Sequence, residues 1–139
     1  MTAILVDSNV LLDIMTEDER WFGWSVEALE RAADTARLVI NPIIYAEISV
    51  RYTTIEALDA ALPKSLLDRE PVPYEAAFLA AKAFALYRQR GGARHAPLPD
   101  FFIGAHAAIA GYRLITRDPA RYWTYFPKLT LIAPPPSRP

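Results

Sequence analysis

The sequence contains no cysteine, and its 139 residues include only two histidines. A disulfide scaffold, a thiolate zinc site and a cysteine nucleophile are therefore excluded. A chain of this length usually forms one domain, and a content of 53% hydrophobic residues excludes disorder over most of it. We therefore expect one folded domain that functions without thiol chemistry.

Long hydrophobic runs are missing as well. The longest apolar stretch, at residues 101–112, is too short to span a bilayer and contains His106. The N-terminal segment lacks the basic start of a signal peptide, and Asp7 interrupts its apolar run. These features predict a soluble, cytoplasmic protein that does not enter a membrane.

The net charge of −1 conceals an uneven distribution along the chain. Residues 1–50 hold nine acidic and three basic residues, whereas residues 88–139 hold eight basic and two acidic ones. Twelve of the 15 basic residues are arginine, the side chain best suited to bidentate phosphate contacts. The distribution suits a nucleic acid or another charged partner, or two halves of a fold that neutralise each other.

Short apolar runs predict the strands of a sheet. They lie at residues 3–6, 38–40 and 114–116, with a weaker run at 129–132. Any strand at Val72 would be short or at an edge, because Pro71 and Pro73 flank it.

Amphipathic or alanine-rich segments predict helices between these runs. They cover residues 10–15, 21–36, 42–52, 55–62, 74–90, 99–110 and 119–126. Strands that alternate with helices predict an α/β fold with a parallel sheet. We expect one domain over residues 1–133 and a proline-rich tail at 134–139.

Aspartates follow two of the predicted strands. Asp7 comes directly after the run at 3–6, and Asp118 follows the run at 114–116. In open parallel sheets, ligands bind outside the carboxyl ends of the strands. The two carboxylates are therefore expected to face one crevice.

Two further acids lie beside apolar residues in predicted helices. Asp100 lies in the first turn of the helix at 99–110, where the helix dipole favours a carboxylate, and simple capping is the alternative. Glu47 lies in the helix at 42–52, where burial of an unpaired charge is costly, and a solvent-facing side chain is the alternative. Both acids are candidates for the same crevice.

Four carboxylates around one crevice repel each other and destabilise an empty site. A hard cation removes this repulsion, and Mg²⁺ or Mn²⁺ suits oxygen ligands in a chain without cysteine. Such a site can orient water, lower its pKa and stabilise charge on a phosphoryl group. Thr116, two residues before Asp118, is expected to hydrogen-bond a ligand. Asn9, two residues after Asp7, is expected to orient a carboxylate or to cap a helix.

Four segments in order resemble the PIN-domain nucleases, and among these the VapC-type toxins of toxin–antitoxin pairs. Each segment alone is weak, but all four together in a chain of this length make the resemblance specific, and it covers nearly the whole chain. The segments are 6–9 (VDSN), 41–47 (NPIIYAE), 99–107 (PDFFIGAHA) and 114–118 (LITRD), with 125–127 (YFP) and 131–134 (LIAP) extending them.

The resemblance implies a single PIN-like domain with a parallel sheet of about five strands in the order 3-2-1-4-5, flanked by helices. It also implies hydrolysis of RNA phosphodiester bonds by metal-activated water, with Mg²⁺ or Mn²⁺ as cofactor. Thr116 and Asn9 match the usual hydroxyl and amide side chains of the family. The catalytic acids of the family's site are matched by Asp7, Glu47, Asp100 and Asp118. Of these, Asp7, Asp100 and Asp118 are the expected metal ligands.

The partners that the resemblance implies are RNA, a VapB-type antitoxin and a second copy of the chain, as a homodimer within a larger complex. Many relatives carry another acid a few residues past the last aspartate. Residues 119–123 (PARYW) contain none, so the sequence leaves open whether the site holds one metal ion or two.

Basic, histidine and aromatic residues outside the predicted metal site have other expected roles. Arg94 and Arg117 lie next to the proposed site in sequence and are candidate RNA contacts. His95 lies on a loop, and His106 lies about 240° around its helix from Asp100, which favours a structural role. Aromatic residues are expected in the core or at an interface: Trp21, Phe22, Trp24, Tyr122, Trp123, Tyr125 and Phe126.

Other functions compete with the toxin interpretation. A phosphoacceptor signalling domain also places acids around Mg²⁺, but it needs a lysine after a late strand, and Lys128 precedes the last one. A haloacid-dehalogenase-like phosphatase needs a second aspartate where Asn9 stands. A non-catalytic PIN-like module has little reason to keep a repulsive cluster. A PIN nuclease with a housekeeping role and no antitoxin stays open.

Overall fold

The computed structural model describes residues 2–136. Within them, the strands are β1 (Ala3–Val6), β2 (Arg37–Ile40), β3 (Leu67–Arg69), β4 (Arg113–Ile115) and β5 (Leu131–Ile132). The helices are α1 (Ser8–Met15), α2 (Phe22–Thr35), α3 (Pro42–Ser49), α4 (Ile55–Ala61), α5 (Tyr74–Gln89), α6 (Pro99–Ala110) and α7 (Ala120–Tyr125). Residues 134–136 form neither helix nor strand, and the rest of the predicted tail lies outside the described residues.

All neighbouring strands run parallel, in the order β3-β2-β1-β4-β5. The predicted α/β fold and its strand order are therefore confirmed. The central strand β1 is buried at each of its four positions, the pattern of a strand covered on both faces. Val6 pairs in register with Ile115, so the carboxyl ends of β1 and β4 lie side by side.

The sequence pattern misses the third strand. In β3 only Leu67 is buried, and the next two residues are charged, so no apolar run marks it. Ion pairs hold those charged residues at this edge of the sheet, since Asp68 contacts Arg37. Val72 lies in no strand, because the prolines on either side of it cannot donate to a ladder.

The helix predictions are confirmed, with ends that differ by three residues or fewer. The largest difference is at α3, which ends at Ser49 because Arg51 and Tyr52 bond to carbonyls three residues back in a tighter turn. At its start, Asn41 accepts hydrogen bonds from two backbone N–H groups, and Pro42 takes the first helical position. These contacts fix where α3 presents its side chains.

Close packing between α6 and α7 depends on Gly104. A Cβ atom at this position would lie 2.6 Å from the ring of Phe126 and 3.1 Å from the ring of Tyr122. The missing side chain therefore lets α7 lie directly against α6. Helix α6 ends at Gly111, whose φ of 71° suits glycine.

In the part of the chain that the structure describes, no helix is long and apolar enough to cross a bilayer.

Candidate functional site

Asp7 lies at the carboxyl end of β1 and is only 3% exposed. Its backbone N–H donates to the carbonyl of Ile115 in β4 at 3.0 Å, which fixes it to the neighbouring strand. Its Oδ1 accepts from the backbone N–H of Ser8 at 2.8 Å, so Asp7 caps α1. The alternative that Asn9 caps this helix is therefore wrong, because α1 begins one residue before Asn9.

Hydroxyl groups from two distant segments hold the second oxygen of Asp7. Its Oδ2 accepts from Thr116 at 2.9 Å and from Tyr122 at 2.8 Å. Asn9 donates through Nδ2 to Thr116 Oγ1 at 3.1 Å and lies 3.4 Å from Oδ2 of Asp7. Asn9 and Thr116 thus lie where their predicted orienting role requires them, and Tyr122 is a hydroxyl donor that the sequence did not reveal.

The buried position of Asp7 changes its acidity. The pKa of Asp7 is raised to about 6, chiefly by burial and in addition by the charge of Asp100, while hydrogen bonds from Tyr122, Thr116 and Ser8 offset part of the rise. No cation is among these causes. A buried carboxylate without a counter-ion is unfavourable, so the site favours an added positive charge.

Glu47 belongs to the same site. The hydroxyl of Ser8 donates to its Oε1 at 2.9 Å, so α1 and α3 meet at this contact. Burial raises the pKa of Glu47, and the charges of Asp7 and Asp100 raise it further. The half-buried Glu47 therefore interacts with Asp7 and Asp100, and we call these three carboxylates the acidic group. The alternative of a solvent-facing Glu47 side chain is wrong.

Asp100 is presented by the first turn of α6, as predicted. Its Oδ2 accepts from Nη1 of Arg121 at 3.0 Å, and its Oδ1 lies 3.5 Å from the hydroxyl of Tyr122. Tyr122 therefore lies between Asp7 and Asp100. Its hydroxyl stays protonated, because burial and the neighbouring carboxylates hold the pKa of Tyr122 well above its usual value.

Asp118 differs in its exposure from the acidic group of Asp7, Glu47 and Asp100. Its side chain is exposed, and its backbone N–H donates to Thr116 Oγ1 at 3.1 Å. Among residues 2–136, no three carboxylate or imidazole side chains are close enough to hold one ion as they stand. The donor set nevertheless fits a hard divalent cation, because its ligands are carboxylate oxygens that lack a counter-charge at Asp7.

The candidate RNA contacts differ in their surroundings. Arg94 is exposed on the loop before α6. The Nε of Arg117 donates to both carboxylate oxygens of Asp13, at 3.1 and 2.8 Å, and its guanidinium lies 5.7 Å from the Trp21 ring centroid. Asp13 is buried and also accepts from Ser25 at 2.8 Å. Arg117 thus joins α1 to the end of β4, and its RNA contact stays a prediction.

The two histidines also differ. His95 is exposed. His106 is buried, and its Nδ1 lies 3.0 Å from Nδ2 of Asn41, the residue that caps α3. Because the amide donates, the ring nitrogen accepts, and burial lowers the pKa of His106 in keeping with a neutral ring. His106 therefore supports the helix that carries Glu47.

Three residues of the site carry no sequence signal for their roles. Ser8 lies between Asp7 and Asn9, and nothing in the local pattern shows that its hydroxyl reaches Glu47. Tyr122 was assigned to the core or an interface, and it is buried, but its hydroxyl reaches Asp7. Arg121 was noted only because it is not an acid, and nothing local signals its contact with Asp100.

Comparison with known proteins identifies the fold independently. The model of the PIN domain family matches residues 4–122. These residues include all four predicted acids and the tyrosine that bridges two of them. No curated protein matches the chain.

Solved structures with the same fold come from toxin–antitoxin complexes. VapBC-1 from nontypeable Haemophilus influenzae matches with a TM-score of 0.71 and 17% identity, over 95% of this chain and 98% of the other. VapBC2 from Rickettsia felis, bound to a promoter DNA fragment, gives 0.70 and 17% over the same shares. A toxin–antitoxin complex from Klebsiella pneumoniae gives 0.62 and 24%, over 91% and 95%.

Proposed function

Since this chain belongs to the PIN domain family, we propose that it is a metal-dependent endoribonuclease and the toxin of a VapBC-type pair. The observation that carries the proposal is the acidic group, which β1, α3 and α6 place at the carboxyl ends of the central strands. The raised pKa values of Asp7 and Glu47 depend in part on the charge of Asp100, so the three carboxylates act on one another.

The metal ligands in this proposal are Asp7, Asp100 and Asp118, and the ion is Mg²⁺ or Mn²⁺. Hard cations of this kind prefer carboxylate oxygens and retain bound water. Such an ion, when bound, supplies an activated water and offsets charge on the phosphoryl group. Asp118 is exposed and its backbone is fixed to Thr116, so its side chain is free to turn towards the other carboxylates.

The chain's own residues perform three tasks in the reaction. Thr116 and Tyr122 hold Oδ2 of Asp7, which fixes the plane of that carboxylate. Glu47 accepts a proton from the attacking water, because a carboxyl with a raised pKa is a better base. Ser8 keeps Glu47 oriented through its hydrogen bond at 2.9 Å.

The proposed protein partner is a VapB-type antitoxin. Its support is the fold similarity to chains in VapBC complexes from two organisms. The same proposal includes a homodimer, which the family resemblance implies. It also includes a cytoplasmic location, because the proposed RNA substrate and antitoxin are both made in the cytoplasm. Co-expression with the product of the neighbouring gene tests the partner: the toxin alone should arrest growth, and the pair should not.

The nuclease activity is tested with purified chain that carries no antitoxin. Total RNA is incubated with Mg²⁺, with Mn²⁺ and with EDTA, beside the variants Asp7→Asn and Asp100→Asn. Discrete fragments are expected only with metal and only with the wild-type carboxylates. Asp34→Asn, at an exposed position of α2, is the matched control and should cleave like the wild type.

The negative outcome is equally informative. Intact RNA after incubation with folded protein and either metal would contradict the nuclease proposal. Phosphate transfer from a small phosphodonor to Asp7 would then favour the phosphoacceptor alternative. Cleavage without growth arrest would favour a housekeeping nuclease over a toxin.

A further inference from the structure

Among residues 2–136, the guanidinium group that contacts the acidic group belongs to Arg121. Its Nη1 lies 3.0 Å from Oδ2 of Asp100. Both side chains are partly exposed, 39% for Arg121 and 34% for Asp100. A pair this exposed adds little to stability, because water and salt screen it. Fold stability therefore does not explain why an arginine stands beside these carboxylates.

We propose that Arg121, Tyr125 and Arg90 form the RNA-binding side of the site, with Arg121 bound to a phosphate next to the cleaved bond. The strand would then leave the acidic group over α7 and the end of α5. This inference rests on the proposed nuclease function and names the surface that its substrate contacts.

Charge gives the first reason. A phosphodiester strand is repelled by three carboxylates, so its approach needs a positive group at their border. Arg121 bonds Asp100 through a single nitrogen, and a guanidinium has further N–H groups that can donate to a phosphate at the same time. Arg121 thus neutralises the charge of Asp100 when no metal ion is bound. When a metal ion neutralises Asp100, the guanidinium of Arg121 binds the RNA strand.

The surface next to Arg121 gives the second reason. A depression of about 290 Å³ is lined by Tyr87, Ala120, Arg121, Thr124 and Tyr125. The ring of Tyr125 is held edge-on by Phe101 and Tyr87, with ring centroids 5.3 and 6.2 Å apart. The guanidinium of Arg90 lies 5.4 Å from the centroid of the Tyr125 ring. A fixed aromatic ring with a stacked arginine suits the bases and backbone of a single strand.

The sequence of the bordering segments gives the third reason. Residues 76–99 contain four basic residues and no acid, and residues 119–136 contain two basic residues and no acid. The two segments that carry Arg90 and Arg121 are therefore both net positive, and these two arginines lie beside Tyr125. An acidic protein segment would match this charge too, but the aromatic ring beside Arg90 favours nucleobases.

The test measures RNA binding in the absence of cleavage. A fluorescein-labelled oligouridine is titrated in Mg²⁺ with Glu47→Gln protein, which lacks the proposed base but keeps the three metal ligands, and the anisotropy of the oligouridine is followed at several salt concentrations. Arg121→Gln and Arg90→Gln, each added to this background, are expected to weaken binding severalfold. Each should also make the slope of log K against log salt less negative by about 0.7, the value for one lost contact to a single strand.

A matched control removes the same charge elsewhere. Arg31→Gln breaks an exposed pair with Glu27 on α2 and should leave both affinity and salt slope unchanged. The circular dichroism spectrum and the Tm of every variant are compared with those of the parent protein, so that a loss of binding is assigned only to folded protein.

Metal binding gives a readout that does not involve RNA. In the otherwise wild-type chain, Arg121→Gln should reach half of the Mn²⁺-induced rise in Tm at a severalfold lower concentration, because no guanidinium competes for Asp100. Arg121→Lys keeps the charge and should behave like the wild type. An unchanged Mn²⁺ midpoint in Arg121→Gln would contradict the balancing role of Arg121.

The outcomes separate this inference from the proposed function. If Arg121→Gln and Arg31→Gln have equal salt slopes while the wild-type chain cleaves RNA, the RNA-binding surface alone is overturned. If Arg121→Gln and Arg90→Gln still bind RNA but no longer bind the antitoxin, the RNA-binding surface is also overturned. The surface is then assigned to a protein partner. A wild-type chain that neither binds nor cleaves RNA would overturn both.

Discussion

The hydroxyl of Tyr122 lies 2.8 Å from Oδ2 of Asp7, although the two residues are 115 positions apart in the sequence. Both side chains are buried, so the hydrogen bond forms where water cannot replace it. The same hydroxyl lies 3.5 Å from Asp100, which makes Tyr122 the link between two of the carboxylates.

Replacement of Tyr122 by phenylalanine should weaken the site without changing its shape. Asp7 would lose a hydrogen bond, which for a charged acceptor is worth about 1.5–3 kcal/mol. We expect RNA cleavage to fall by about 10–100-fold, the usual effect of losing an orienting partner of a metal ligand. Single-turnover cleavage and thermal melting measure the two effects.

Tyr112→Phe is the matched control for this variant. Its hydroxyl also donates to a carboxylate, that of Glu70, at 2.6 and 2.9 Å, and Glu70 is outside the acidic group. Tyr112→Phe should therefore lose stability but keep cleavage. Equal cleavage by both variants would show that the bond to Asp7 has no part in the reaction.

Divalent cations should stabilise the folded protein. A ligand that binds only the folded state adds about 2.7 kcal/mol at a concentration one hundred times its Kd. We expect millimolar Mg²⁺ or Mn²⁺ to raise the Tm of the wild type and of Asp34→Asn, and to act much less on Asp100→Asn. A melting curve that does not move across the titration would argue against metal binding by these carboxylates.

Loss of Arg117 should destabilise the protein through Asp13. Arg117→Gln leaves the carboxylate of Asp13 buried with only Ser25 as a hydrogen-bond donor, at a cost of about 3 kcal/mol. Asp13→Asn in the same chain should recover much of this loss, because the unpaired charge is then absent. Chemical denaturation of the single and double variants measures the coupling, and additive effects would contradict it.

Stability should fall at acidic pH through His106. Burial lowers the pKa of His106 below 6.5, so the unfolded chain binds more protons between the two pKa values. The contribution of His106 to the free energy of unfolding is therefore complete above about pH 6.5 and declines as the pH falls below that value. Melting in EDTA from about pH 8 to pH 5 measures the effect.

His106→Gln is the control for this pH dependence, since its amide oxygen can still accept from Asn41 without titrating. As the pH falls, the Tm of the wild type should fall more than the Tm of His106→Gln. Asp7 acts in the opposite direction, because its pKa is raised to about 6, but it is present in both proteins and cancels. A constant difference in Tm would contradict the role of His106.

The sequence predicts those parts of the site that local pattern determines. Asp7 follows an apolar run whose four residues are all buried, so its place at the end of a strand could be read directly. Asp100 follows a proline that opens a helix, and the structure begins α6 at that proline. Burial pattern and capping chemistry act over a few residues, which is why both positions were predictable.

Contacts between distant segments could not be predicted in this way. The pairing of Arg121 with Asp100 depends on the path of the chain through β4 and on the close contact of α7 with Gly104. The aromatic character of Tyr122 predicts burial, but no local pattern shows where its hydroxyl points. The apolar pattern of the sequence does not reveal the edge strand β3, because ion pairs rather than an apolar run hold its side chains.

The central position of β1 has a consequence for synthesis of the protein. Asp7 is translated before β4, Thr116 and Tyr122, which hold it in place and come more than 100 residues later in the sequence. A ribosome that has not yet translated α7 therefore carries a nascent chain without a complete site. The acidic group therefore gains the hydroxyls that orient it only after the whole stretch from β1 to α7 has been made.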